Sequence, residues 1–388
     1  MKKGWIKTAS VLGIAAMMVT GCAPGEKGKE KETTTKTVVE KKEPEKEKTV
    51  QKTKPVEVKG LYMSAWSMGT GRFDELLNMV NTTELNSLVI DAKEDNGYIT
   101  YGKTKVATAN EIGATEKPFL DKFDERMKQL KKDNVYTIAR VVTFRDPLLA
   151  NKKPEWAMQR KDGGGVWRDY AGMSWVDPYR KEVWDHVINI AKEAAGKGFD
   201  EIQFDYVRFP ENGKKVDAEV AYHNPNNWSK QQVISEFIKY AKKELDPYGV
   251  YVSADIFGLV TSNTDDMGIG QHWESLVTNL DYVSPMTYPS HYGAGSYGLS
   301  VPDAQPYEVI KKAMTDATTR NKALEAKGKK PAIIRPWYQD FTATWVPGHI
   351  AYGPQQVQEQ IRAAHELGVD QYLIWDPANT YSQAWQKN

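Results

Sequence analysis

The chain has 388 residues, with 52 Lys and Arg against 51 Asp and Glu, 12 Trp, 20 Tyr and a single Cys. A net charge of +1 gives no overall field for binding nucleic acid, and one Cys excludes an internal disulfide and a cysteine-based metal site. The length allows one large domain or two ordinary ones, because α/β barrels commonly reach about 250 residues as one unit.

The first 22 residues are organised like a lipoprotein signal peptide. Three Lys precede an apolar stretch from about Ala9 to Val19, which is shorter than the roughly 20 residues that a membrane span needs. The stretch ends in Val-Thr-Gly-Cys22, which resembles the lipobox of bacterial lipoproteins, where the signal is cut before a Cys that receives a diacylglycerol. We predict a signal peptide over residues 1–21, lipidation of Cys22 and a location on the extracytoplasmic face of the cell membrane. A buried free Cys beside an ordinary cleavage site is the alternative.

The segment that follows Cys22 has the composition of a tether. From Glu26 to Lys54 it contains ten Lys and seven Glu, with no aromatic residue and no apolar helical stripe. Such a segment cannot bury enough apolar surface to offset the entropy of ordering it. Residues 22–55 are therefore predicted to be a disordered linker, with a solvated helix or a cation-binding arm as the alternatives.

Strand and helix patterns alternate from about Val56 onward. The predicted strands are 59–66, 87–91, 136–142, 201–206, 250–256, 282–287, 332–337 and 371–375. The plainest amphipathic helices are predicted at 73–80, 119–131, 179–197, 229–245, 307–327 and 354–367.

Eight such units indicate a single α/β domain over residues 56–388, a closed (β/α)8 TIM barrel. Near-continuous apolar strands that alternate with helices are typical of a parallel sheet covered by helices. An open doubly wound sheet is the second possibility, but it usually carries a Gly-rich phosphate loop after an early strand. No G-x-G-x-x-G follows the first strand here, which ends Ser64-Ala65-Trp66-Ser67.

Acids, arginines and aromatic residues recur where these strands end. In (β/α)8 enzymes the carboxyl ends of the strands carry the active site, so the residues at those ends are candidate substrate-binding residues. A strand-end Asp can instead cap the next helix, and a Trp can instead fill the core. The candidates are Trp66, Asp91, Lys93, Arg140, Arg145, Arg208, Tyr288, His291, Trp337, Gln339, Trp375 and Asp376.

Asp205 and Asp255 are the candidate catalytic residues. Asp205 ends the apolar fourth strand, and we expect Arg208 nearby to hold it ionised, as a nucleophile or electrostatic stabiliser requires. Asp255 ends the next strand between apolar residues, where a raised pKa would suit a general acid. Because neighbouring strand ends are only a few ångströms apart, the two carboxylates could flank a glycosidic bond.

The aromatic residues favour a sugar as the substrate. Flat C–H faces of carbohydrates stack on rings such as those of Trp66, Tyr288, Trp337 and Trp375, while Arg and Asp side chains bind hydroxyls. The loop over residues 156–175, with Gly163-Gly164-Gly165 at its centre, is predicted to be a mobile lip beside the cleft, or else a surface excursion with buried anchors.

Two stretches resemble a known family. Residues 198–210, GFDEIQFDYVRFP, and residues 284–289, SPMTYP, are similar to the bacterial glycosyl hydrolase domain long catalogued as a domain of unknown function, and more distantly to family 18 chitinases. The resemblance covers residues 56–385 and implies a (β/α)8 barrel with a glycosidase site at the ends of strands four and five. The catalytic Glu of the chitinase D-x-E motif is matched here by Val207, which leaves Asp205 and Asp255 as the acid pair.

Other catalytic classes have no support in the sequence. The six His form no H-E-x-x-H motif and no close pair, so we predict no metal and no cofactor. The complete prediction is a membrane-anchored glycoside hydrolase acting on a polysaccharide by a two-carboxylate mechanism, with no nucleic-acid partner. The alternative is a non-catalytic carbohydrate-binding or cell-envelope scaffold lipoprotein that keeps the cleft.

Overall fold

The computed structural model describes residues 51–52, 54–117 and 122–385. Eight parallel strands close into a barrel, because β8 pairs with β1 through Lys59 and Tyr372, and β6 pairs with β7 through Met286 and Trp337. The predicted (β/α)8 fold is thereby confirmed. The strands are β1 (Lys59–Met63), β2 (Ser87–Lys93), β3 (Tyr136–Val142), β4 (Glu201–Asp205), β5 (Tyr251–Phe257), β6 (Tyr282–Met286), β7 in two pieces (Ile333–Ile334 and Trp337–Gln339) and β8 (Tyr372–Trp375).

Helices lie between the strands and cover the outside of the barrel. They are α1 (Ala65–Met68), α2 (Arg72–Thr82), α3 (Ala107–Glu111), α4 (Phe123–Lys132), α5 (Pro147–Lys152), α6 (Lys181–Gly196), α7 (Gly213–Glu219), α8 (Lys230–Leu245), α9 (Trp273–Val277), α10 (Pro306–Glu325) and α11 (Pro354–His365). Short 3-10 turns lie at Pro154–Trp156, Asp246–Tyr248, Gly258–Thr261, Pro289–His291, Ser296–Gly298 and Pro302–Ala304. In the part of the chain that the structure describes, no helix is both long and apolar enough to cross a membrane.

Local sequence signals explain where several elements begin and end. Helix α8 begins with a capping box, in which Ser229 Oγ accepts from the backbone of Gln232 and the Gln232 side chain accepts from the backbone of Ser229. Strand β1 ends at Met63, three residues earlier than predicted, because Ser64 caps the short helix α1 instead of extending the strand. Strand β7 is interrupted before Trp337 because Pro336 has no N–H to donate to a neighbouring strand.

Two buried layers stabilise the barrel. The larger layer fills the space between strands and helices, and the smaller one lies inside the barrel, where it includes Val89, Ile138 and Leu373. An ion pair between Glu201 and Arg335 is also enclosed inside the barrel, with both side chains fully buried. Tyr136 donates to Glu201 at 3.0 Å and the Ser253 hydroxyl donates to it as well. This polar cluster lies near the amino ends of the strands, below the site described next.

The chain enters the barrel at the amino ends of the strands. Lys52, which the sequence assigns to the tether, forms an ion pair with Asp281 at 3.2 Å and lies 5.0 Å from the centre of the Tyr251 ring. Tyr251 is the first residue of β5, and Asp281 directly precedes β6. The predicted signal peptide, Cys22 and most of the predicted tether lie outside the described residues.

Candidate active site

Asp205 and Asp255 stand next to each other at the carboxyl end of the barrel. Two residues earlier in their strands, Gln203 and Ser253 are direct partners across β4 and β5. Side chains alternate along a strand, so Asp255 shares the face of Ser253, whose hydroxyl donates to Glu201 inside the barrel. Neighbouring strands lie about 4.8 Å apart. The two carboxyl groups therefore face the same interior space from adjacent strands.

Arg140, on β3, connects three carboxylates. Its Nε and Nη2 atoms lie 2.9 and 2.7 Å from Asp205 Oδ2, its Nη1 donates to Asp91 at 2.8 Å, and its Nη2 donates to Asp95 at 3.0 Å. Burial favours a neutral guanidinium, but the three acids outweigh it and hold the pKa of Arg140 well above its ordinary value. The hydrogen bond and the ion-pair contact from one guanidinium fix the position of Asp205 and stabilise its negative charge.

The pKa values of the other two acids around Arg140 shift in opposite directions. Asp91 is buried and accepts from the Tyr62 hydroxyl at 2.7 Å, and its burial outweighs Arg140 and raises its pKa. Burial acts in the same direction on Asp95, but there Arg140 outweighs it, so the pKa of Asp95 is lowered. Asp95 lines the cleft and Asp91 does not, so Arg140 has one acid on the cleft side and one on the side away from it.

Asp255 has a different environment from Asp205. It is buried, and its Oδ1 atom accepts from the indole Nε1 of Trp337 at 2.6 Å. Burial raises its pKa well above the ordinary value for an Asp, and the neighbouring charge of Asp205 adds to the shift. The site thus combines one carboxylate that is paired with an arginine and one carboxyl group that retains its proton to higher pH.

An open cleft of about 700 Å³ lies over these groups. Eight predicted site residues line it, namely Asp205, Asp255, Arg140, Arg208, Tyr288, His291, Trp337 and Trp375. The Tyr288 and Trp375 rings are 5.1 Å apart, and Tyr288 contacts the ring of His291 at the same distance. The described residues include no group of three His, Cys, Asp or Glu placed to hold a metal ion.

Arg208, the expected partner of Asp205, forms no hydrogen bond with it among the described residues, although the two charges interact. Arg208 donates to the backbone oxygen of Phe209 at 3.0 Å and to Glu211 at 3.4 Å. The direct hydrogen bond to Asp205 comes from Arg140 instead. The chain turns away after Asp205 because Tyr206 has a left-handed backbone with φ of 50°. Such a conformation is costly for a bulky residue and often marks functional sites.

Six predicted substrate-binding residues are not part of the cleft wall, and one of them, Arg145, lines a smaller neighbouring cavity instead. Lys93 is fully buried in an ion pair with Asp146, because a register shift after Asp91 turns it out of the barrel. Asp91 itself lies behind Arg140. Gln339 is buried in bonds to Asp303 and to backbone groups.

The other two of these residues lie at the ends of β1 and β8. Asp376 accepts from the backbone N–H groups of Ala378 and Thr380 and so shapes the turn after β8. Trp66 is 70% exposed on α1. Asp376 therefore has a capping role, as the alternative for strand-end acids proposed, but it caps a turn and not the next helix.

Several residues that line the cleft were not among those predicted from the sequence. Tyr62 lies inside β1, Asp95 follows two residues after β2, and Tyr206, Glu211 and Asn212 follow β4. The repeated occurrence of polar residues after β2 and β4 was a usable signal for Asp95 and Glu211. Val207, which occupies the position of the chitinase Glu, is buried and apolar.

The loop over residues 156–175 is anchored by its two inner tryptophans. Trp167 donates to Glu219 at 2.8 Å and Trp175 donates to Asp169 at 2.9 Å. Residues 159–160 pair with residues 220–221 in a short antiparallel ribbon. Tyr170 at the loop tip is 90% exposed. The alternative of a surface excursion with buried anchors describes this arrangement.

Comparisons with known proteins agree with this fold. Residues 60–381 match the model of a family described as "Putative glycosyl hydrolase domain". The structure is similar to the PgaB (BpsB) glycoside hydrolase domain from Bordetella bronchiseptica, with a TM-score of 0.60 and 15% identity over 84% of this chain and 95% of that one. It is also similar to the spore cortex-lytic enzyme SleL of Bacillus megaterium QM B1551, with a TM-score of 0.50 and 14% identity over 85% and 73% of the two chains.

A third similarity is closer in sequence but shorter. A hypothetical protein from Ruminiclostridium thermocellum ATCC 27405 is 38% identical, and the match covers 54% of this chain and 98% of that chain with a TM-score of 0.46. Comparison with curated proteins gives no match. At 14 to 15% identity, the two longer structural similarities show a shared barrel fold.

Proposed function

The chain belongs to this glycosyl hydrolase domain family, which makes a carbohydrate its substrate, and we propose that it cleaves O-glycosidic bonds of a polysaccharide with Asp205 and Asp255. The observation that carries the proposal is the contrast between the two neighbouring carboxyl groups. Asp205 is held by a hydrogen bond and an ion-pair contact from Arg140, while Asp255 is buried with a raised pKa. Pairs of carboxyl groups in such different environments are the usual acid and base, or acid and nucleophile, of glycosidases.

In the proposed reaction, Asp255 is the general acid. Its proton passes to the glycosidic oxygen as the bond to the anomeric carbon breaks, so the leaving sugar departs as an alcohol. Trp337 then stabilises the Asp255 carboxylate by its 2.6 Å hydrogen bond. Asp205 is either the nucleophile, whose ester with the anomeric carbon is then hydrolysed by water, or the stabiliser of the positive charge at that carbon, in which case water attacks the carbon directly and passes its proton to Asp205.

The cleft supplies surfaces for the sugar itself. The rings of Tyr288, Trp337 and Trp375 line it and offer flat apolar faces for stacking. His291 follows Tyr288 at the rim and offers a ring nitrogen to a hydroxyl group. Arg140 is committed to carboxylates, so we assign it to positioning Asp205 rather than to direct substrate binding.

Location forms a separate part of the proposal. We propose that residues 1–21 are removed, that Cys22 carries the lipid, and that residues 22–55 tether the barrel on the extracytoplasmic face of the cell membrane. Labelling of cells with radioactive palmitate tests this. The wild-type protein should be labelled and sediment with membranes, while Cys22→Ser should be unlabelled; equal labelling of both would contradict lipidation of Cys22.

The catalytic proposal is tested by incubating purified protein with wall, capsule and storage glycans. We expect sugar release by the wild type and at least a hundredfold less by Asp205→Asn and Asp255→Asn. Asp177→Asn is the matched control, because Asp177 is also buried with a pKa raised by burial to about 6, but it accepts from the backbone of His223 and Tyr179 outside the cleft. Equal release by the wild type and Asp205→Asn would contradict the role of Asp205.

The anomeric configuration of the first product distinguishes the two roles open to Asp205. Retained configuration identifies it as a nucleophile, and inverted configuration identifies it as the base that activates water. The alternative function, a carbohydrate-binding or cell-envelope scaffold protein, predicts glycan binding by the wild type and by both Asn variants without any product.

A further inference from the structure

A second cavity opens beside the main cleft. Its volume is about 230 Å³, a third of that of the cleft, and the loop over residues 156–175 forms one side of it. The two spaces share a wall made by Tyr206, Arg208, Glu211 and Asn212. The side cavity therefore directly adjoins the cleft.

Arg145 lines the side cavity, and part of its guanidinium forms no hydrogen bond with the described residues. Its Nη1 atom donates to the Tyr206 hydroxyl at 2.5 Å, and its guanidinium lies 4.9 Å from the centre of the same ring. Its Nε atom is screened from solvent and has no partner among the described residues. A buried N–H without an acceptor is energetically costly, so a ligand that supplies an acceptor there gains that energy.

Arg208 stands between the cavity and the cleft. It is 6% exposed, and the one carboxylate in ion-pair contact with it among the described residues is the half-exposed Glu211 at 3.4 Å, with Asp205 acting on it from farther away. The rings of Trp175 and Phe257 lie 5.2 and 4.4 Å from its guanidinium. Burial lowers the pKa of Arg208, and the charge of Arg145 acts in the same direction. Arg140, by contrast, is surrounded by three carboxylates.

The other charged groups of the cavity have partners of their own, and Lys215 among them lies 4.0 Å from Glu219. Asp169 accepts from Trp175 and from backbone N–H groups of its own loop, and Glu219 accepts from Trp167. Arg168 donates to the backbone of Gly172 and to Asn151. Arg145 and Arg208 are therefore the pair of positive charges that remains available to a ligand.

We propose that the side cavity binds a carboxylate carried by the sugar substrate, so that the natural glycan is acidic and contains uronic acid or another carboxylated sugar. The inference rests on the proposed function of the cleft. It follows from two poorly compensated arginines that face one small space. A guanidinium matches a carboxylate with two parallel hydrogen bonds, and Nη1 is the one nitrogen of Arg145 that forms a hydrogen bond among the described residues.

The test measures binding by the full mature chain carrying Asp205→Asn, so that it does not depend on hydrolysis. The probes are uronic-acid polysaccharides, the same polymers after chemical reduction of their carboxyl groups, and dextran sulfate. We expect at least tenfold tighter binding of an acidic polymer than of its reduced form. Adding Arg145→Gln or Arg145→Lys should remove that preference, since Lys keeps the charge but not the planar fork.

Lys239→Gln is the matched control, because it removes one positive charge from an exposed ion pair with Glu236. It should leave the preference intact. Equal binding of acidic and reduced polymers, an unchanged preference in Arg145→Gln, or equally tight binding of dextran sulfate would overturn the inference. A failure of the proposed hydrolysis is recognised separately, since the wild type would then release no product from any polymer whatever its binding preference.

Discussion

The indole nitrogen of Trp337 lies 2.6 Å from a carboxyl oxygen of Asp255, so a residue of β7 supplies a fixed donor to a residue of β5 across the barrel. This bond stabilises the ionised form of Asp255, while burial and the charge of Asp205 destabilise it. The pKa of the proposed general acid is therefore set by residues from three different strands.

Trp337→Phe should raise the pKa of Asp255, because it removes the donor and leaves the burial. A general acid must be protonated, so activity falls as pH rises through its pKa, and the alkaline limb of the pH–rate profile should move to higher pH. A hydrogen bond to a charged group contributes about 1.5 kcal/mol, which corresponds to about one pH unit. Trp375→Phe changes a cleft ring that bonds no carboxylate and should leave the limb in place. A shift to lower pH in Trp337→Phe would contradict this account.

Arg140→Met should lower both stability and activity. The variant leaves the carboxylates of Asp91, Asp95 and Asp205 without their shared partner, and removing one member of a buried ion pair costs about 3 to 5 kcal/mol. Urea unfolding should show that loss. Sugar release should fall at least a hundredfold because Asp205 loses its hydrogen bond and its ion-pair contact with Arg140. Arg126→Met removes an arginine that donates to a backbone oxygen of Thr70 and should change neither property much.

The ion pair between Glu201 and Arg335 should show strong coupling. Glu201→Gln leaves the guanidinium of Arg335 uncompensated inside the barrel and should cost about 3 to 5 kcal/mol of unfolding free energy. The double variant Glu201→Leu with Arg335→Met should be more stable than the Glu201→Gln single variant, since no charge remains buried. Denaturant unfolding of the variants gives the comparison; a cost below about 1 kcal/mol for Glu201→Gln would contradict it.

His186 should make the protein less stable in acid. It is buried on α6, its Nδ1 atom is 2.8 Å from the Thr108 hydroxyl, and burial lowers its pKa to about 4 from an ordinary value of 6.5. Between these two pH values the unfolded chain binds a proton that the folded chain does not. Stability from this site is therefore present above about pH 6.5 and is lost as pH falls towards 4, by about 3 kcal/mol.

His186→Gln removes the titrating group and should flatten the dependence of unfolding free energy on pH between 6.5 and 4. The exposed residue His349 provides the control, because His349→Gln should keep the wild-type slope. An unchanged slope in His186→Gln would show that other groups account for the acid sensitivity.

The strands and their polar ends could be predicted from sequence because apolar runs and turns are local signals. The proposed catalytic pair followed from the rule that parallel strands end on the same side. The arginine that contacts Asp205 could not be predicted in this way. Arg208 is three residues from Asp205, but the left-handed backbone of Tyr206 turns the chain, and Arg140 on a neighbouring strand makes the contact.

Local structure also explains why some predicted substrate-binding residues do not line the cleft. Lys93 follows Asp91 by two residues, and simple alternation would put both on one face, yet a register shift in β2 separates them. Asp376 and Gln339 are polar residues at strand ends that bond their own loops. Strand-end position therefore predicts which residues are near the cleft, while bulges and loop bonds decide which of them a ligand can touch.

The ion pair between Lys52 and Asp281 has a practical consequence. It holds the incoming chain against the amino ends of β5 and β6, whereas the cleft opens at the carboxyl ends. A fusion partner, a surface linkage or a fluorescent label joined before residue 51 is thus attached at the end of the barrel away from the substrate. Immobilised enzyme prepared through its amino terminus should keep an unobstructed cleft, whereas attachment through the loop at Tyr170 should block it.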